Sequence, residues 1–180
     1  MLKMPSMAGA RGFTLIELMI GISIMSLVMA LAMPSYRTWI QNTRIRNSAE
    51  AILNGLQVAR MEAVRRNIPV QLVLGTGSAW TVGCVTVTAT CPATIQSHSS
   101  GEGSSAAVTV TPSAGGTFVF DPFGRRTTPA VGAGTARLDV ATTALTATES
   151  RPLRVTVDVG GNTRMCDPST GVATTDPRHC

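Results

Sequence analysis

Few residues of this chain could do chemistry, and their spacing limits what that chemistry is. One acid, Glu17, stands inside an apolar run from Phe13 to Met33. A carboxylate in such a run costs roughly 2.5–3.5 kcal/mol on insertion scales, so it needs interfacial water or a positive group from another chain. Four cysteines, Cys84, Cys91, Cys166 and Cys180, all follow that run. There is no Cys-x-x-Cys spacing, and His98 and His179 fall into no ligand pattern, so the cysteines read as disulfides rather than metal ligands. Three pairings exist. The expected one is Cys84–Cys91 with Cys166–Cys180, which closes two short loops. Arg125, Arg126, Arg151, Arg154, Arg164 and Arg178 crowd the C-terminal third. Guanidinium groups on one exposed face would contact phosphates. No Gly-x-Ser-x-Gly elbow occurs, and no Gly-rich phosphate loop precedes a helix. Asp121, Asp139, Asp158, Asp167 and Asp176 are scattered, with turn or solvent roles. The expectation is a chain that is not an enzyme and holds neither metal nor cofactor.

The elements that must carry these residues follow from periodicity. Phe13 to Met33 is 21 residues with one charge. As a helix it would be about 30 Å long, the thickness of a bilayer's hydrocarbon core. Lys3 and Arg11 precede it with no acid, which keeps that end in the cytoplasm and sends the rest across. Pro34 would cost one helical hydrogen bond and kink the helix. Beyond it, Ile45, Ala49, Ile52, Leu56, Ala59 and Ala63 recur at spacings of three and four, one apolar stripe of an amphipathic helix. Pro69 disfavours helix at Ile68, so the helix should stop near Asn67. Such a helix would be roughly 80 Å long.

From Pro69 the period becomes two. Strands are expected at Val70–Leu74, Trp80–Val87, Ala107–Thr111, Thr117–Phe120, Arg137–Val140 and Leu153–Val159. Trp80 and Val82 should cover the helix stripe. Thr94–Ser105 is rich in Ser and Gly and reads as an exposed loop, as does Pro129–Thr135. Asp121-Pro122-Phe123-Gly124 reads as a turn, and Gly160-Gly161-Asn162 as a hairpin signal. The tail from Cys166 to Cys180 has no regular period and would need a disulfide to stay ordered.

Two stretches carry a resemblance. Arg11-Gly12-Phe13-Thr14-Leu15-Ile16-Glu17-Leu18, followed by about twenty apolar residues, resembles the type IV prepilin signature. The resemblance implies that a prepilin peptidase cuts between Gly12 and Phe13 and that the new amino group of Phe13 is methylated. It also implies that Glu17 pairs with the N-terminal amine of a neighbouring subunit during assembly. Pro34 stands where many type IV pilins carry a proline. An ordinary secretory signal would instead be cut after the apolar run, where Ala30-Leu31-Ala32 offers a weak site. In the β-rich part, Phe118 to Arg126, and Leu153–Val157 running into Gly160 to Cys166, resemble the GspH/FimT pseudopilin family. The implied class is α+β, a type IV pilin fold with one long N-terminal helix packed on an antiparallel β-domain of two sheets. Its divisions are a leader at 1–12, a transmembrane or filament-core helix at 13–35, the amphipathic half at 36–68 and a periplasmic β-rich domain at 69–180.

The implied function is that of a minor, FimT-like type IV pilin that joins a pilus or its initiating complex. The alternative is a GspH-type minor pseudopilin of a type II secretion system. Either would sit in the inner membrane, single-pass with its C-terminal domain in the periplasm, then enter a pilus or pseudopilus. Its partners would be the prepilin peptidase, the membrane and other major and minor pilins or pseudopilins. A double-stranded DNA partner, captured for natural transformation, is a second reading. The formal charge is +5, or +3 without Lys3 and Arg11, which permits an anionic partner without demanding one. Some FimT-type pilins bind DNA through Gly-Arg-x-Arg near the C-terminus. Here Gly161 is followed by Asn162-Thr163-Arg164, so only the glycine and the last arginine match. The expected DNA face is Arg164 and Arg178 with Arg154, Arg125 and Arg126. No interleaved aromatics support base stacking.

Overall fold

The computed structural model describes residues 12–129 and 134–180. Lys3, Arg11 and the middle of the 129–135 loop lie outside them. The first element is a helix, α1, from Leu15 to Arg66. It starts at Thr14, whose Oγ1 accepts a hydrogen bond from the Glu17 N–H at 3.3 Å. Thr at the N-cap with Glu three residues on is the capping-box pattern, so Glu17 also sits where a helix start favours an acid. The chain stays helical through Pro34. It stops where Asn67 adopts φ 55°. There the Ile68 N–H donates to Ala63 O and the Asn67 N–H to Val64 O. Those two bonds are a Schellman cap, which satisfies carbonyls the last turn would otherwise leave open.

Contacts group the chain into two units that divide between Arg37 and Thr38. In the first, every large apolar side chain from Phe13 to Met33 is exposed. This stretch of α1 is long and apolar enough to cross a membrane. In the second, one stripe of α1 is fully buried: Ile45, Ala49, Ile52, Leu56, Ala59 and Ala63. Ser48 lies among them at a cost that its hydroxyl offsets, donating to Arg44 O at 2.9 Å and meeting Ser104 Oγ at 2.7 Å.

Among the described residues nine strands follow. They are β1 (Val70–Leu74), β2 (Trp80–Cys84), β3 (Gln96–His98), β4 (Val108–Pro112), β5 (Thr117–Phe120), β6 (Arg126–Thr128), β7 (Ala136–Thr142), β8 (Leu153–Val157) and β9 (Thr163–Cys166). They form two antiparallel sheets, ordered β3-β2-β1-β5-β6 and β4-β7-β8-β9. Alternation sets which side chains enter the core. In the first sheet Leu72 pairs with Val82 on one side and Phe118 on the other, and all three are buried. In the second, Leu138 pairs with Val155 and Ala136 with Val157, again inward, while Arg137 faces out. The sheets meet where the Arg126 N–H donates to Val159 O.

Three strand expectations change, one of them at Leu153, whose strand ends at Val157 rather than Val159. The strand from Trp80 ends at Cys84 rather than Val87, because Cys84 is bonded to Cys91 with a Cα–Cα distance of 5.8 Å. That link turns the chain back, the Thr88 and Cys91 backbones pair, and Val85 and Val87 are left 46% and 60% exposed. The polar stretch 94–105 contains an edge strand, β3, paired to β2 through Trp80↔His98. An edge strand can be polar because one side of it faces water, so its sequence carries no alternation. Cys166 and Cys180 form the second disulfide, with a Cα–Cα distance of 5.2 Å.

The helix and first sheet come close together at Gly55. A Cβ there would lie 2.9 Å from both Leu72 Cδ1 and the Trp80 ring. Leu72 can give way, but the buried indole cannot. Gly55→Ala should therefore destabilise the chain by about 1–2 kcal/mol, despite its better helix propensity. Denaturant unfolding of the detergent-solubilised protein checks this, and a rise in stability would contradict the close packing. The Cys166–Cys180 link spans 14 residues. Converting both cysteines to serine should cost about 3 kcal/mol by loop-closure entropy, measured by the same unfolding experiment.

Candidate functional site

Gly12 and Phe13 precede the helix, and Phe13 is 85% exposed. Nothing lies within 4 Å of where a Gly12 Cβ would stand. The fold itself therefore has no need of glycine there. Both residues flanking the Gly12–Phe13 bond are exposed among the described residues. Glu17 follows one turn later, exposed on an apolar helix. Among the described residues it forms no salt bridge.

The structure scatters the five arginines expected to face DNA. Arg125 pairs with Asp121 at 2.9 Å and lies over the Phe123 ring. Arg154 grips Asp139 through two bonds, 2.5 and 3.1 Å long. That bond, set against partial burial, raises the guanidinium above its usual value. Arg178 pairs with Asp176 at 2.7 Å, and its guanidinium and N–H hold the Asp176 carboxyl down at about 2. Arg164 donates to the carbonyls of Pro177 and His179 at 2.7 and 2.8 Å, tying down the tail.

Arg126 corrects the expectation outright. It is fully buried, the largest such side chain among the described residues, so it cannot reach a nucleic acid. Its guanidinium donates to Pro129 O and Gly134 O, closing the two ends of the 129–134 segment. Desolvation lowers its pKa and the nearby Asp158 charge opposes that. Nothing in the turn-then-strand pattern around Arg126 signals burial, because its partners are backbone carbonyls rather than acids.

Gly161 has its own explanation. Its φ is +78°, and a Cβ there would run into Gly124 O. The glycine is required by the meeting of two turns, so its match to a DNA-binding motif carries no information about DNA. Beside these turns, Arg60 of α1 bonds Asn162 Oδ1 at 3.1 Å. Burial alone would raise the Asp158 carboxyl. The side chain and N–H of Asn162, the Gly160 N–H and Arg60 hold it below the usual range.

One residue that the sequence reading passed over stands out. Arg137 is exposed on the outer face of β7. The register Arg137↔Thr156↔Arg164 puts two cations on either side of Thr156. A groove of about 670 Å³ opens here, lined by Arg137, Arg154 and Arg164 among others. Strict alternation outward from Leu138 and Val140 was the signal that could have found it. Among the described residues, no three His, Cys, Asp or Glu side chains converge as metal ligands.

Comparison with known proteins gives these features a setting. A family model described as "Type II transport protein GspH" matches residues 48–161, and one for the prokaryotic N-terminal methylation motif matches residues 7–33. The fold is similar to the type IV minor pilin FimU of Pseudomonas aeruginosa, with a TM-score of 0.54, 18% identity, 72% of this chain covered and 92% of that one. It is also similar to the minor pseudopilin EpsH from the type 2 secretion system of Vibrio cholerae, with a TM-score of 0.52, 12% identity, 70% of this chain and 98% of that one. No curated protein matches the chain significantly. At these identities the structural likeness speaks for the fold alone. The methylation motif implies processing by a prepilin peptidase and assembly with other pilin-like subunits. With one model spanning well over half its length and the other covering the head of α1, the chain belongs to the GspH family of minor type IV pilins and pseudopilins.

Proposed function

We propose that this chain is a non-catalytic filament subunit, a FimT-like minor pilin that joins a type IV pilus or its initiating complex. The observation that carries this reading is the exposed apolar half of α1 with Glu17 as its one charge. In a bilayer, lipid tails satisfy that surface. In a filament, the same surfaces of neighbouring subunits do so, and a carboxylate that is costly in either place gains a partner only when a neighbour's Phe13 amine comes within reach. Lys3 and Arg11 support an orientation with the leader in the cytoplasm and the β-rich part in the periplasm.

The second reading is a pseudopilin of a type II secretion system. It is favoured by the family model's description and by the likeness to EpsH, whose TM-score is close to that for FimU. DNA capture is a weaker reading. Arg125, Arg154 and Arg178 each face a carboxylate, and Arg126 is buried.

Glu17→Ala tests the filament role. The variant should be cut after Gly12 and stay in the membrane, yet fall at least several-fold in the sheared filament fraction. Wild-type incorporation would remove the role given to Glu17. Deleting the chain in its host and scoring both surface pili and export of folded proteins separates the two machines. Loss of pili with normal export is the expected result.

A further inference from the structure

The groove on the outer face of the second sheet holds charge that the fold does not use. Four charged groups define it. Arg154 is spent on Asp139. Asp158 is spent on its own turn, through the N–H and side chain of Asn162. Arg164 gives hydrogen bonds to two carbonyls, which are dipoles and leave its charge uncompensated. Arg137 has no side-chain partner among the described residues; only its backbone is engaged, its N–H by Ser113 Oγ at 3.0 Å and its carbonyl by the Ser113 N–H at 2.8 Å. Two unspent guanidinium groups therefore flank Thr156 across neighbouring strands. Strands lie about 4.8 Å apart, so the two stems start roughly 10 Å from each other and can converge on one group between them.

We propose that this groove is a protein-docking site that receives an acidic side chain, Asp or Glu, from a neighbouring filament subunit. The mixture of signs selects that ligand. A nucleic-acid backbone would need a cation for each phosphate along its path. Here it would meet Asp139 and Asp158 on leaving Arg137 and Arg164. A single carboxylate needs only the guanidinium groups of Arg137, which has no side-chain partner among the described residues, and Arg164, which bonds only carbonyls; their planar geometry suits it. Because β7, β8 and β9 are bonded to one another, the site is rigid and the two arginines are held in fixed register. Whatever docks there is gripped by a sheet, not by a loop.

The inference rests on the filament reading, so its test separates the two. A photo-crosslinking amino acid is placed at Thr135, an exposed residue lining the groove, in the full-length chain expressed in its host. Ultraviolet light should then join it to another pilin-like subunit. Adding Arg137→Glu should cut the adduct roughly five-fold, the size expected for one exposed ion pair. Arg137→Lys should keep most of it. Reversing the acid identified in the partner should restore the adduct to the Arg137→Glu chain. If the subunit enters filaments but the adduct ignores Arg137→Glu, or if the adduct is nucleic acid, the groove assignment falls and the filament reading stands. If the unmutated chain is missing from filaments altogether, the filament reading falls and the groove assignment with it.

Discussion

A flat-sided helix pressed against a sheet can approach only as closely as its smallest contact residue allows. In this protein that residue is Gly55, whose bare Cα lies under Trp80 and Leu72. The distance it sets lets Ile52, Leu56 and Ala59 reach full burial beside it. The first sheet is fixed by that contact, and the second is fixed to the first through the joint at Arg126 and Val159. The turns at Gly124 and Gly161 then touch each other and Arg60. The outward faces of the strands, and the groove among them, inherit their positions from this chain of contacts.

Part of the charge in this protein is cancelled locally. Arg46 pairs with Glu50, Arg65 and Arg66 with Glu62, Arg125 with Asp121 and Arg178 with Asp176, each within four residues. Arg154 and Asp139 pair across two strands. Exposed pairs of this kind add little stability. Their effect is on the near field: a partnered cation attracts an anion at contact only weakly, while the net charge, which already subtracts the acids, is unchanged. The cations without an acidic partner therefore matter for their positions.

The parts of the fold legible in the sequence were those with a period. The stripe from Ile45 to Ala63, the alternation at Leu153–Val157 and the Phe118–Phe120 strand each repeat a pattern that burial enforces. The parts that were not legible lack such a pattern. β3 is a polar edge, the end of β2 is set by a covalent link, and Arg126 is buried by backbone acceptors supplied from beyond β6. The candidate sites divide in the same way. Glu17 is conspicuous because everything around it is apolar. Arg137 is not, because an outward arginine on a strand looks the same whether or not an acid faces it. Only the registers and side-chain contacts of the folded strands distinguish the arginines that face an acid from those that do not.

The tail beyond β9 has a consequence for how this molecule avoids the wrong kind of polymer. β9 is the last strand of its sheet, and a bare strand edge invites another chain to extend it. Just past β9, Asp167 has both backbone groups taken: its N–H donates to Arg178 O, and its carbonyl accepts from the Cys180 N–H. The Cys166–Cys180 link keeps those acceptors and donors in place. The tail thereby occupies the backbone just beyond that edge, where another strand could otherwise begin to pair.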